Sequence, residues 1–121
     1  MVDPSVAVAV QDLTISNEGE IALQVDSLEI RRNEIFGIIG PAGSGKTSFL
    51  NAINRMDEFK ESMIVKGSIN FDGLEVGEVQ NTYALRKRIG VVFPLPVGLP
   101  LSIYENVALS PRLSGVKRKQ D

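Results

Sequence analysis

The stretch Gly40 to Thr47 reads Gly-Pro-Ala-Gly-Ser-Gly-Lys-Thr, and it decides how the rest of the chain is interpreted. It matches the phosphate-binding pattern G-x-x-x-x-G-K-[ST] at every fixed position. An apolar run over residues 35–39 precedes it and predicts a buried strand. Over residues 49–56, apolar side chains recur at spacings of three and four, which predicts a helix. A phosphate-binding loop requires this order of strand, loop and helix.

Each residue type in the loop has a physical role. Glycines let the backbone approach a phosphate closely, and successive N–H groups together with the helix N-terminus attract an anion. The lysine would reach the β- and γ-phosphates, and Thr47 would place its hydroxyl on Mg²⁺. A glycine-rich turn without a ligand is the alternative, and the number of matched positions argues against it. The predicted nucleotide-binding residues are Gly40, Pro41, Ala42, Gly43, Ser44, Gly45, Lys46, Thr47 and Ser48.

Composition limits the remaining possibilities. The 121 residues can form one hydrophobic core and not two. A formal charge of −2 argues against a general nucleic-acid binder. The absence of cysteine and histidine excludes disulfides, thiolate metal sites and histidine bases. No apolar run approaches the 18 or so residues of a membrane helix, so we expect a cytoplasmic protein that reaches a membrane only through a partner.

Alternating apolar residues predict an antiparallel sheet. Residues 6–15 and 21–30 read as strands on either side of a hairpin turn at Asn17-Glu18-Gly19. A second pair of strands is predicted over residues 68–71 and 74–76, on either side of a hairpin turn at Asp72-Gly73. Further along, residues 81–88 read as a helix whose basic end, Arg86 to Arg88, is best explained as a solvated helix terminus.

The C-terminal third combines one apolar strand pattern with a proline-rich loop and a helix. Residues 89–93 predict a second buried strand, and the prolines of residues 94–101 exclude both helix and central strand there. Ser102 and Glu105 match a capping box, which predicts a helix that begins at Ser102.

These segments together resemble an ABC-transporter ATPase subunit, and in particular its phosphate-import branch. The resemblance rests on the phosphate-binding loop, on Asp72-Gly73, and on three runs further along. These are Leu-Asn-Ala-Ile-Asn-Arg-Met at 50–56, Leu-Arg-Lys-Arg-Ile-Gly-Val-Val-Phe at 85–93 and Ser-Ile-Tyr-Glu-Asn-Val-Ala at 102–108, with Pro-Arg-Leu at 111–113. It covers roughly residues 6–116.

The resemblance implies an α/β fold: a P-loop NTPase with a partial RecA-like core and an antiparallel β subdomain. Residues 1–121 would be the N-terminal part of an ABC-type nucleotide-binding domain. The β part would use about 6–30 and 68–76, and the P-loop core about 34–56 and 79–110. The implied ligands are ATP and Mg²⁺. The implied partners are integral-membrane permease subunits and a second ATPase subunit in a homodimer. The permease would contact this chain near the loop after Phe93. Such a protein would lie in the cytoplasm, peripheral on the inner face of the cell membrane.

Several departures from the family pattern limit what the resemblance implies. No aliphatic run ending in an acidic pair follows the loop, so the Walker B aspartate and the catalytic glutamate are absent. Leu113-Ser114-Gly115 continues as Val-Lys and is rejected as an LSGGQ motif. Pro94 stands where the family has a Mg²⁺-contacting glutamine, and Asn17 stands near the place of the adenine-stacking aromatic residue. We therefore predict no catalytic residue and no ATP hydrolysis by this chain alone.

Two hypotheses remain, and a third is disfavoured. The chain is the N-terminal part of an importer ATPase, or it is a truncated or degenerate nucleotide- or phosphate-binding module without catalysis. A small P-loop kinase or GTPase would need an acidic strand end or a guanine-selecting motif, and neither is present. Because strands of the implied core lack neighbours, we predict a marginally stable chain, or one that completes its sheet with another copy.

Overall fold

A computed structural model describes residues 3–95 and 98–115. These residues form two compact units, of which one ends at Gly90 and the other begins at Val91. Residues 96 and 97 of the predicted proline-rich loop lie outside the described residues. Among the residues described, no helix is long and apolar enough to cross a membrane.

The first unit is built on a four-stranded antiparallel sheet with the strand order β2-β1-β3-β4. Glu18 and Gly19 form the turn between the first two strands, and Asp72 and Gly73 form the turn between the last two. All four have positive φ, as type I′ hairpin turns require. The predicted antiparallel sheet is therefore confirmed. Its strands are β1 (Val6–Asn17), β2 (Glu20–Arg31), β3 (Met63–Phe71) and β4 (Leu74–Glu75).

A bulge in β1 explains why its apolar residues change phase along the strand. The pairing of β1 with β3 shifts by one residue between Gln11 and Thr14, where Asp12 has a φ of 50°. Gly67 of β3 lies opposite the bulge with a φ of 102°, and a Cβ there would be 2.2 Å from the carbonyl oxygen of Asp12. The bulge turns Leu13 to the same buried face as the preceding apolar residues.

The core lies between that face of the sheet and the helices of the first unit. Helix α1 (Lys46–Ile53) contributes Phe49 and Ala52. A 3₁₀ helix (Val76–Glu78) and α2 (Thr82–Lys87) close the core with one apolar side chain each. A second 3₁₀ helix, Met56–Phe59, follows α1. The buried cluster is Val8, Val10, Leu13, Ile15, Phe49, Ala52, Met63, Ile69, Val76 and Leu85.

Two arginines tie the end of α1 to the segments that follow it. Arg55 donates to the carbonyl oxygens of Val76 at 2.9 Å and Val79 at 3.3 Å. Arg86 donates to the carbonyl oxygens of Asn54 at 3.1 Å and Arg55 at 2.8 Å, and so satisfies carbonyls that a helix end leaves without partners. Arg86 also pairs with Glu58, and this hydrogen bond holds the pKa of Glu58 below its ordinary value.

Asp72 is the centre of a second charged cluster. Arg32 donates to its carboxylate at 2.5 Å, Arg88 pairs with its other oxygen, and these contacts lower the pKa of Asp72. The polar turn after β2, in which Asn33 has a left-handed φ of 58°, is thereby joined to the end of α2. The prediction of a merely solvated terminus at residues 86–88 was wrong for Arg86 and Arg88, because acids and carbonyls distant in sequence engage them.

The second unit contains α3 (Ile103–Leu113). The predicted cap is confirmed, since the Ser102 hydroxyl accepts a hydrogen bond from the Glu105 amide at 3.0 Å. Asn106 binds the preceding segment through the Leu99 amide at 2.9 Å and the Leu101 carbonyl at 3.1 Å. Ser114 caps the end of this helix at Leu113, and Gly115 follows with a φ of 97°.

The buried strands predicted over residues 35–39 and 89–93 do not form in the described structure. Ile39 is 98% exposed and Val92 is 97% exposed. A parallel strand needs hydrogen-bonding neighbours on its edges, and every pairing among the described residues is between the antiparallel strands β1 to β4. An apolar sequence without a partner strand therefore does not form a strand here.

Candidate phosphate-binding site

The loop before α1 has the backbone conformation that presents N–H groups to an anion. Gly43 and Gly45 have φ values of 81° and 96°, and the Ser44 amide closes a turn onto the Pro41 carbonyl at 3.2 Å. The first main-chain hydrogen bond of the helix runs from the Phe49 amide to the Gly45 carbonyl. The N–H groups of residues 46–48 consequently lack intrahelical partners, and they lie at the positive end of the helix dipole.

Gly45 also fixes this loop against the sheet. A Cβ at residue 45 would be 2.7 Å from the Ala22 carbonyl oxygen and 3.0 Å from the Leu23 Cβ, both on β2. Contacts as short as these require a glycine, and so does the positive φ. The start of α1 is therefore seated directly on β2, which gives the anion-binding end of the helix a rigid support.

The Lys46 ammonium group lies across the loop that precedes it. It donates to the carbonyl oxygens of Gly40 at 2.5 Å and Pro41 at 2.8 Å, and to the Ser44 hydroxyl at 3.2 Å. A lysine ammonium has three N–H donors, so these three acceptors satisfy it. Phosphate oxygens that enter the loop would replace these acceptors as partners of the ammonium group, since a charge-assisted hydrogen bond to phosphate is the stronger one.

A pocket of about 600 Å³ brings most of the predicted residues together. The structure places Ala42 to Ser48 in its wall, while Gly40 and Pro41 contribute the carbonyls that hold Lys46. Asn17, at the end of β1, and Ala22, on β2, complete the wall. The motif could not have identified Ala22, since no signal in the sequence links it to the loop.

Among residues 3–95 and 98–115, no group of three or more acidic, histidine or cysteine side chains could hold a metal ion. The loop instead offers the exposed hydroxyl of Thr47 on the pocket wall. Mg²⁺ keeps several waters and often takes most of its remaining ligands from substrate phosphates. The single Thr47 hydroxyl is compatible with a Mg²⁺ ion that is already coordinated by a triphosphate. The ion would neutralise part of the triphosphate's charge.

The two tyrosines lie away from the pocket wall. Tyr83 is next to the Lys87 ammonium, 5.0 Å from the ring centre, and Tyr104 is next to Arg112 in the second unit. Asn17, rather than either tyrosine, therefore lies in the pocket wall.

Known proteins resemble this chain over most of its length. A family model described as "ABC transporter" matches residues 23–121. The phosphate import ATP-binding protein PstB of Thermotoga maritima is 44% identical over 101 residues, which are 83% of this chain and 40% of that protein. The phosphate import ATP-binding protein PstB 2 of Lactococcus lactis is 38% identical over 117 residues, which are 95% of this chain and 44% of that protein.

The chain thus spans less than half the length of these curated relatives. The family match begins on β2, includes the whole phosphate-binding loop and continues through α3. With the loop seated on the sheet and its lysine in place, the sequence match and the geometry agree, and the chain belongs to the ABC transporter family.

Proposed function

We propose that this chain is the N-terminal part of the ATP-binding subunit of an ABC importer, and that residues 40–48 bind the phosphates of Mg-ATP. The observation that carries the proposal is the position of Lys46. Its ammonium group donates to the Gly40 and Pro41 carbonyls, and Lys46 lines the same pocket as Thr47 and Ser48, whose N–H groups have no intrahelical partner. A fixed cation and aligned N–H groups in one pocket form a site for a polyphosphate anion.

The transported solute we propose is phosphate or a related anion. Both relatives described above carry the words "phosphate import" in their names, and their identity to this chain extends beyond the loop. In the complete protein, ATP binding and hydrolysis would drive transport through integral-membrane permease subunits, with two ATPase subunits acting as a homodimer. The protein would then lie on the inner face of the cell membrane.

The complete domain would also supply the RecA-like core. We propose that residues 35–39 and 89–93 become parallel strands there, paired with strands that are not among the described residues. Their sequence supports this, because both runs are apolar enough to be buried on two faces. Residues 6–30 and 68–76 would remain the antiparallel part, beside a core formed from 34–56 and 79–110.

The second candidate function is nucleotide binding without hydrolysis. The pocket wall consists of amide, hydroxyl, methyl and glycine groups with one lysine, and it includes no carboxylate among the described residues. Pro94 offers no side-chain hydrogen bond at the place of the family's glutamine. Without a group that orients water, this chain alone should bind Mg-ATP and release no phosphate.

Calorimetric titration of the chain with Mg-ATP tests the proposal. We expect saturable binding by the wild-type chain and its loss in Lys46→Ala. Lys66→Ala is the matched control, because it removes the same charge from an exposed position on β3 outside the pocket wall. Far-UV circular dichroism establishes that all three chains contain the sheet.

Equal binding by Lys46→Ala and the wild-type chain would contradict a site at this loop. If the folded wild-type chain does not bind Mg-ATP, the proposal and the second candidate function both fail. A phosphate-release assay on the same samples separates binding from hydrolysis, and a rate above background would contradict the second candidate.

A further inference from the structure

A further inference concerns which part of the nucleotide the pocket recognises, and it rests on the proposed function. The pocket wall beyond the phosphate-binding loop consists of Asn17 and Ala22. None of the described residues in that wall is aromatic. Outside the loop, the wall is therefore built from one small amide residue and one alanine.

The aromatic rings of the first unit are engaged elsewhere or lie outside the wall. One ring is buried in the core, and three others have a basic side chain within 4.9–5.3 Å of the ring centre. The fifth ring precedes the loop and does not contribute to the wall. The buried ring is that of Phe49, and the ring before the loop is that of Phe36. The three rings with a basic neighbour are those of Phe59, Phe71 and Tyr83.

Asn17 is held in place by its neighbours. Its side-chain oxygen accepts a hydrogen bond from the Ser62 hydroxyl at 3.1 Å, and the Glu18 amide donates to the Ser62 carbonyl at 3.0 Å. The NH₂ group of Asn17 provides two further donors. All four bases carry acceptors on their edges, so a donor at this point does not by itself select one base.

The groups of the phosphate-binding loop differ from Asn17 and Ala22 in the kind of interaction that they offer a nucleotide. It combines the Lys46 cation, the positive end of α1 and two glycines in the left-handed region within one short stretch. These groups interact with charge, which is the same in every nucleoside triphosphate. We propose that the pocket binds nucleoside triphosphates through their phosphates and magnesium and gains little affinity from the base, because Asn17 and Ala22 provide no stacking surface.

Competition against a fluorescent ATP analogue tests this on the wild-type chain. Mg²⁺ complexes of ATP, GTP, UTP and inorganic tripolyphosphate are the competitors. We expect half-displacement concentrations within about tenfold of one another. A stacked base would contribute about five- to 150-fold, so an advantage of ATP or GTP over tripolyphosphate above about tenfold would overturn the inference and leave the proposed function intact. If none of the four ligands binds the folded chain, the inference and the proposed function both fail.

A gain-of-function variant provides the second test. Asn17→Tyr adds a ring at the end of the pocket, and we expect affinity for ATP to rise about five- to 150-fold while that for tripolyphosphate stays unchanged. Ser16→Tyr is the matched control, because neighbouring residues of a strand point to opposite faces and Ser16 lies outside the pocket wall. An Asn17→Tyr chain that folds and gains no preference for ATP would show that the base does not lie at Asn17. If that variant does not fold, the wild-type competition decides by itself.

Discussion

The strands of the antiparallel sheet and two segments outside it, residues 35–39 and 89–93, have similarly apolar sequences and different structures. Ile15 on β1 is completely buried, whereas Ile39, in an equally apolar run, is 98% exposed. β1 has a partner on each side, β2 and β3, both within the same chain. Residues 35–39 and 89–93 have no strand partner among the described residues. The difference shows that an apolar pattern gives a segment the capacity to be a strand, and that an available neighbour decides whether it becomes one.

The largest expected effect tests how closely the paired strands fit. In Gly67→Ala, the new methyl group would lie 2.2 Å from the Asp12 carbonyl oxygen at a φ of 102°. We expect a loss of about 4 kcal/mol in the free energy of unfolding, from overpacking and backbone strain together. Urea denaturation followed by circular dichroism measures it. Gly73→Ala is the control, since its φ is also positive and no atom lies within 4 Å. Its cost should be about 1–2 kcal/mol, and equal losses in the two variants would contradict a special fit at Gly67.

The second prediction compares the two regions directly. Leu13→Ala should reduce the free energy of unfolding by about 3 kcal/mol, because Leu13 is fully buried at the bulge. Ile39→Ala should change it by less than about 0.5 kcal/mol, because that side chain is exposed. The same urea experiment serves for both. A large loss in Ile39→Ala would mean that residues 35–39 are buried in solution, for example in a complex between copies of the chain, which light scattering would detect.

A third prediction tests the ties made by basic side chains. Arg86→Ala removes hydrogen bonds to the Asn54 and Arg55 carbonyls, so we expect a loss of about 1–2 kcal/mol. Lys87→Ala, next to it, removes only a contact with the Tyr83 ring and should cost less than about 0.5 kcal/mol. Thermal unfolding is a suitable measurement. If both variants unfold like the wild type, residues 86–88 are a solvated helix end after all.

The smallest expected effect is a dependence on pH. Hydrogen bonds from Arg32, with Arg88 beside it, lower the pKa of Asp72 in the folded chain. A lowered pKa means that this stabilisation is complete above the unfolded value of about 3.9 and disappears as the pH falls through the folded value. Asp72→Asn keeps the shape and tolerates the left-handed φ of this position. Its melting temperature should be below that of the wild type at pH 7, and the two should converge below about pH 4. A constant difference across this range would show that the charge of Asp72 is unimportant.

Local chemistry was predictable from the sequence, and contacts distant in sequence were not. The turns at Glu18-Gly19 and Asp72-Gly73, the left-handed Asn33 and the Ser102 cap each depend on a few adjacent residues. The phase change in β1 was visible as well, but nothing identified Gly67 as the residue opposite it. Arg55 and Arg86 bind carbonyls 21 to 32 residues away, and a backbone carbonyl leaves no mark in a sequence.

In the candidate site too, some features were predictable from the sequence and others were not. The motif located the loop and its lysine, and the alignment with the family placed Asn17 near them. The seat of Gly45 on the Ala22 carbonyl could not be predicted, because it depends on how the helix packs against β2. The strands predicted over residues 35–39 and 89–93 were wrong for the described structure, because their partners are not among the described residues.

The contact between Gly45 and β2 has a consequence for how such motifs evolve. Packing demands a glycine at this position whether or not a ligand is bound, since any side chain would collide with the Ala22 carbonyl. A descendant that no longer used nucleotides would keep this glycine under selection for folding alone, while its Lys46 would be lost or retained by chance. When related chains are sorted into active and inactive members, loss of the lysine therefore indicates an inactive member, whereas presence of the glycine beside it indicates nothing.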